Sequence, residues 1–153
     1  MKKITLIVSV FILLFLSGDA LGCVCFFMEN PTAESIKLER QKDFSEATAV
    51  FSGEVVKLND FEAELKVDKI WKGDSADYVT MLTGTTDNGN GTYSSSSCDY
   101  TYKLGEKYLI YAYGKSKKLK THSCSRSRLM VNSVEEILGL EEIIPHKKMN
   151  KLP

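Results

Sequence analysis

Phe61-Glu62-Ala63-Glu64-Leu65-Lys66-Val67-Asp68-Lys69-Ile70-Trp71 is the stretch whose reading decides the fold. Phe61, Ala63, Leu65 and Val67 alternate with Glu62, Glu64, Lys66 and Asp68, a period of two that puts one face of a strand in a core and the other in water. Ile70 and Trp71 extend it, and Lys72-Gly73-Asp74 ends it. Upstream, Ala49 to Leu58 is rich in Val and Phe and carries Gly53, which predicts a strand with a bulge or sharp bend. Downstream, Tyr78 to Leu82 reads as a third strand. Lys107 to Tyr113 (Lys-Tyr-Leu-Ile-Tyr-Ala-Tyr) is the most apolar strand, and Gly114 to Lys118 turns into a fifth, Leu119 to Cys124. Between them, Gly84 to Ser97 is built almost wholly of Gly, Thr, Ser, Asn and Asp and predicts a long polar loop, mobile unless Cys98 ties it down.

Helices flank the strands. Asn30-Pro31-Thr32 opens a helix over 32–47, with Ile36, Arg40, Phe44 and Ala47 near one face. Ser133 is placed to cap a final helix through Leu140, with Glu135 and Glu136 in its first turn, where they favour the dipole. Five short strands with Gly-marked bends and a helix near each end predict a mainly β fold, a small closed or nearly closed antiparallel barrel. No repeat and no linker divides it.

The chain begins Met1-Lys2-Lys3, runs apolar from Ile4 to Leu16, and continues Ser17-Gly18-Asp19-Ala20-Leu21-Gly22. A basic start, a short apolar stretch and a small-x-small site define a secretory signal peptide, expected to be cut before Cys23. The apolar run is shorter than the roughly 20 residues a membrane anchor needs. Residues 1–22 are therefore the signal, 23–144 one domain and 145–153 a flexible tail. The exported chain has 131 of the 153 residues, enough for a real core. Losing Lys2, Lys3 and Asp19 leaves 18 basic against 19 acidic residues, a balance that suggests no nucleic-acid partner. The cluster Lys115, Lys117, Lys118 and Lys120 reads as a solvated hairpin. The expected location is secreted or extracytoplasmic. Ala20-Leu21-Gly22-Cys23 also approaches a lipoprotein cleavage site; lipidation of Cys23 would make the protein surface-anchored and block its amine.

Cys23, Cys25, Cys98 and Cys124 all follow the cleavage site, and an oxidising destination makes two disulfides the expectation. Three pairings are open, but Cys23 with Cys25 would close a very small ring, so each is expected to reach Cys98 or Cys124. Bridges over 70 or more residues are worth roughly 4–5 kcal/mol each in the chain-entropy model. A four-cysteine zinc site is the rival, and the spacings fit it poorly.

No catalytic constellation stands out. The exported chain holds two histidines, His122 in the expected last strand and His146 in the tail, and lacks Gly-x-Ser-x-Gly, a phosphate loop and His-Glu-x-x-His. Glu62 and Glu64 lie on the wet face of a strand. With every cysteine bridged no free thiol remains, so the reading is not an enzyme and no cofactor or metal of its own is expected. The feature that carries chemistry is the new N-terminus. An α-amine with a pKa near 8 is partly unprotonated at neutral pH, and with the Cys23 carbonyl oxygen it can form a five-membered chelate around a metal ion. Pinning by Cys23 and Cys25 would lower the ordering cost of that contact.

The segments Cys23-Val24-Cys25, Val50-Phe51-Ser52-Gly53, Leu65-Lys66-Val67-Asp68-Lys69-Ile70-Trp71-Lys72-Gly73, Ser97-Cys98-Asp99-Tyr100, Lys107-Tyr108-Leu109-Ile110-Tyr111-Ala112 and Thr121-His122-Ser123-Cys124-Ser125 occur in that order. Together they resemble the N-terminal domain of the tissue inhibitors of metalloproteinases, in the netrin-like group of OB-fold barrels, over nearly all of the exported chain. The basic signal peptide gives it the look of a distant, bacterial-type member. The resemblance implies pairings Cys23–Cys98 and Cys25–Cys124. It also implies that the Cys23 amine and carbonyl chelate the zinc of a metalloprotease, which is the expected partner; no nucleic acid, no membrane unless Cys23 is lipidated, and a monomeric state are expected beside it. Val24 would fill the pocket after the scissile bond, Cys25, Phe26 and Phe27 would lie along the substrate groove, and Ser96 and Ser97 would form the second part of the contact ridge. Three departures stand out: the family's third bridge is missing, Asp99 stands where Gly usually follows the matching cysteine, and Phe26-Phe27 replace a small, proline-rich continuation. The alternative is an exported binding or structural module, free or lipid-anchored, with the same fold and no inhibitory activity.

Overall fold

The computed structural model describes residues 22–25, 28–115 and 118–144; residues 1–21, which hold nearly all of the expected signal peptide, and Phe26, Phe27, Lys117, His146 and the expected tail lie outside them. Helix α1 (Ala33–Glu46) is followed by strands β1 (Ala49–Leu58), β2 (Glu62–Lys72), β3 (Tyr78–Leu82), β4 (Thr86–Asp87), β5 (Tyr93–Ser94), β6 (Lys107–Lys115), β7 (Lys118–Lys120) and β8 (Arg128–Leu129). A 3₁₀ turn (Met130–Asn132) then leads into helix α2 (Val134–Ile143). Among the described residues no helix is long and apolar enough to cross a membrane.

Five strands close the barrel in the order β1-β2-β3-β7-β6, and β6 returns to β1. Every pairing is antiparallel except β3 with β7, which is parallel. The antiparallel barrel expected from sequence is present with one parallel seam, which parity requires: directions that alternate around a ring of five must repeat once, and the repeat falls between β3 and β7. The result is a mixed, OB-like barrel with β8 added outside β6.

Two cores share β6. Phe51, Val55, Ala63, Leu65, Met81, Tyr108, Ile110 and Ala112 fill the barrel, while Val50, Leu109, Tyr111 and Leu140 pack between its outer wall and the helices. Tyr108 to Ala112 are therefore buried on both faces, which is why that strand reads as a continuous apolar run instead of alternating. Gly53 lets β1 serve β2 and β6 together. A Cβ there would sit 2.6 Å from the Lys66 carbonyl oxygen, and the β1–β2 register shifts between Ser52 and Gly53.

Helix α1 starts where Thr32 and Ser35 exchange side-chain hydrogen bonds in a capping box, and Lys72 Nζ satisfies the carbonyls of Phe44 and Ser45 at its other end. Ser133 precedes α2 but does not cap it. Its Oγ donates to the Leu129 carbonyl instead, tying the helix start to the 3₁₀ turn. Two other expectations change. Gly84 to Ser97 contains the β4–β5 hairpin, closed by hydrogen bonds among Asn88, Asn90, Thr92 and Ser94. The last barrel strand stops at Lys120, so His122 lies outside it, in an isolated bridge to Asp99 and stacked on Tyr113.

Candidate functional site

Cys23 is bonded to Cys98 and Cys25 to Cys124, the pairings the resemblance implies, with Cα–Cα separations of 5.0 and 5.2 Å. No cysteine is left free. Val24, between the two anchors, is 77% exposed. This side chain is held in solvent by covalent ties on both sides and is not part of the core.

The loops that receive the bridges are themselves fixed. Ser123 N donates to the Cys98 carbonyl at 2.9 Å, and the Asp99–His122 bridge continues that pairing. On the Cys98 side, residues 96 to 99 form a tight turn: Asp99 N donates to the Ser96 carbonyl, Ser96 N to Asp99 Oδ2 at 2.6 Å, and Cys98 N to Ser96 Oγ. The Asp99 carboxylate also lies directly on Gly84, where a Cβ would come within 2.1 Å of its Cγ. Asp99 thus stabilises the turn with its side chain, and its backbone avoids the left-handed region that would call for glycine. Ser96 and Ser97 are exposed on this turn, next to the Cys98 anchor. Immediately beyond, Tyr100, Tyr102 and Tyr108 stack edge to face, with burial pushing the Tyr100 hydroxyl up to about 12.

The Cys124 loop is held by a hydroxyl chain and an ion cluster. Thr121 Oγ1 lies 2.8 Å from both Ser125 Oγ and Ser127 Oγ, and Ser127 Oγ accepts from Tyr111 N on β6. Arg126, two residues past Cys124, reaches Asp43 and Glu39 on α1 and Glu136 on α2 at 2.6, 2.9 and 3.1 Å. Glu136 is 3% exposed and also accepts from Arg40 and from the Tyr111 hydroxyl. Burial acts to raise the Glu136 carboxyl, but Tyr111, Arg126 and Arg40 outweigh it and hold the group below the usual range.

Sequence reading missed this cluster as a support of the site. Its signal was Arg40 on the buried face of α1, since a guanidinium there needs a buried anion. Glu136 was read only as a first-turn dipole partner. Of the expected site residues, the structure brings Cys23, Val24, Cys25, Ser96 and Ser97 together through the bridges, while Phe26 and Phe27 lie outside the described residues. No protein-family model matches the chain, and no curated protein sequence matches it.

Proposed function

We propose that this is a secreted inhibitor of a zinc endopeptidase, similar in mechanism to the tissue inhibitors of metalloproteinases. Signal cleavage after Gly22 would free the Cys23 α-amine. That nitrogen and the Cys23 carbonyl oxygen would chelate the protease zinc, displacing the water it activates. Val24 would enter the adjoining substrate pocket, and the Ser96–Ser97 turn would add the second contact line.

The observation that carries this reading is the mounting of Cys23-Val24-Cys25: two disulfides to two loops that are paired with each other, with Val24 exposed between them. Chelation by a backbone amine and carbonyl is favourable only if little freedom is lost on binding, and this mounting removes that freedom beforehand. The test is inhibition of a panel of zinc endopeptidases by the chain starting at Cys23, beside the same chain with one Ala added in front. Inhibition by the first and none by the second is expected. Equal inhibition refutes chelation, and a diacylglyceryl group on Cys23 of the native protein would exclude the mechanism in favour of a membrane-tethered binding module.

A further inference from the structure

The two disulfides lie against each other. Cys23 Sγ is 3.7 Å from Cys124 Sγ across the bridges, and the sulfurs of Cys23, Cys25 and Cys124 are all within 4.8 Å of one another. Cys98 Sγ is one bond from Cys23 Sγ and so adjoins that group of three. Tetrahedral zinc takes four thiolates at about 2.3 Å, which sets the sulfurs roughly 3.8 Å apart. The non-bonded Cys23–Cys124 spacing already matches that figure. The bonded pairs must separate and Cys98 Sγ must turn toward the other sulfurs, and rotation of the side chains about Cα–Cβ provides the movement.

Two of these ligands are positioned without either disulfide. The Ser123–Cys98 backbone hydrogen bond, the Asp99–His122 bridge and the ion cluster at Arg126 hold the Cys98 and Cys124 loops side by side. The other two arrive on a three-residue segment. The Ser123 hydroxyl lies 3.6 Å from Cys23 Sγ, placed to donate to a thiolate from outside the ligand set. The sequence spacings that fit poorly with zinc lose their force, because the fold brings the separated cysteines together.

We propose that Cys23, Cys25, Cys98 and Cys124 form a tetrathiolate zinc site in the reduced protein, so that the ion replaces the two disulfides as the tether of the N-terminal segment. Cys124 is exposed, which gives a reductant entry at the Cys25–Cys124 bridge. Each disulfide takes two electrons and two protons from one dithiol, which becomes a disulfide, leaving four thiols on the chain. Zinc uptake then releases four protons as the thiols become ligands. This site uses sulfur atoms and stands apart from protease inhibition, which uses the Cys23 amine and carbonyl.

The test takes the full exported chain, folded with both bridges, reduces it without oxygen using a phosphine, removes the phosphine, and titrates with Co²⁺ and then Zn²⁺. One cobalt per chain is expected, with thiolate charge-transfer bands and the visible spectrum of a tetrahedral site, bleached by one zinc. Ser123→Ala should weaken cobalt binding roughly tenfold, within the 10–100-fold an outer partner is worth, and Cys98→Ser by roughly a hundredfold or more. If reduction melts β-structure, zinc should restore it; failure to restore it overturns the proposal. So does one metal per two chains, equal uptake by the oxidised protein, or an unchanged affinity in urea strong enough to unfold the barrel.

Discussion

Replacing Glu136 by Gln removes the buried carboxylate on which Arg40, Arg126 and the Tyr111 hydroxyl converge, while keeping the side chain's shape. Breaking a buried ion pair from one side costs about 3–5 kcal/mol, because the remaining charge stays desolvated. Arg126 retains Asp43 and Glu39, so the lower end, about 3 kcal/mol, is expected. A domain of this size gains about 0.25 kcal/mol/K of unfolding entropy, so the melting temperature should fall by about 12 °C. Thermal unfolding followed by circular dichroism with both disulfides intact measures it. Arg40→Met should cost a similar amount alone, and the double variant clearly less than the sum of the two. The acid limb gives a second reading. Glu136 has a lowered pKa in the fold, so the unfolded chain takes up this proton more readily. Its stabilisation is complete above the ordinary glutamate range and is lost as pH falls through the lower folded value. Glu136→Gln should therefore flatten the decline of stability in acid. A loss under about 1 kcal/mol, the level of an exposed pair, strict additivity with Arg40→Met, or an unchanged acid limb would refute the assignment.

Three further outcomes follow from the geometry. Gly53→Ala drives a methyl to 2.6 Å from the Lys66 carbonyl oxygen and should cost about 1–3 kcal/mol in urea unfolding; a neutral result would mean β1 can move off β2. Asp99→Ala removes the acceptor of Ser96 N and the cover of Gly84, so the Ser96 amide should exchange faster with solvent while the melting point falls by only a few degrees. The Tyr102 hydroxyl is buried with no hydrogen-bond partner among the described residues, so Tyr102→Phe should leave stability unchanged or raise it by about 1 kcal/mol; a loss would show that the hydroxyl has a partner.

The barrel was legible because its strands obey simple patterns. Ala63 and Leu65 face inward between charged neighbours, and Gly73, with positive φ, marks the turn after β2, while Gly114, also with positive φ, stands near the end of β6. The parallel seam was not legible, since β3 and β7 touch only after the ring closes and neither carries a mark of direction. Nor was the β4–β5 hairpin: two-residue strands hide in a run of polar residues, although Asn88-Gly89 and Asn90-Gly91 were turn signals inside it. At the site, the cysteines and Val24 could be picked out by position relative to the cleavage point. The pairing came only with the resemblance, because spacing alone left Cys98 and Cys124 equivalent. The ion cluster escaped because Arg126 and Glu39 are 87 residues apart and look like surface charges one at a time.

That cluster and the candidate site are parts of one mechanical chain, which makes the functional reading testable away from the N-terminus. Arg126 lies two residues from Cys124, Cys124 holds Cys25, and Cys25 holds the exposed Val24. Gly53 acts on the opposite junction, between β1 and β2, and touches none of these groups. If the Cys23-Val24-Cys25 segment acts through rigidity, Glu136→Gln should weaken inhibition by roughly tenfold at a temperature where both variants are folded, since about 1.4 kcal/mol of added ordering cost is a factor of ten. Gly53→Ala, though destabilised to a comparable degree, should inhibit as the parent does. Equal inhibition by both variants would mean that the disulfides alone supply the rigidity and that the cluster serves stability only.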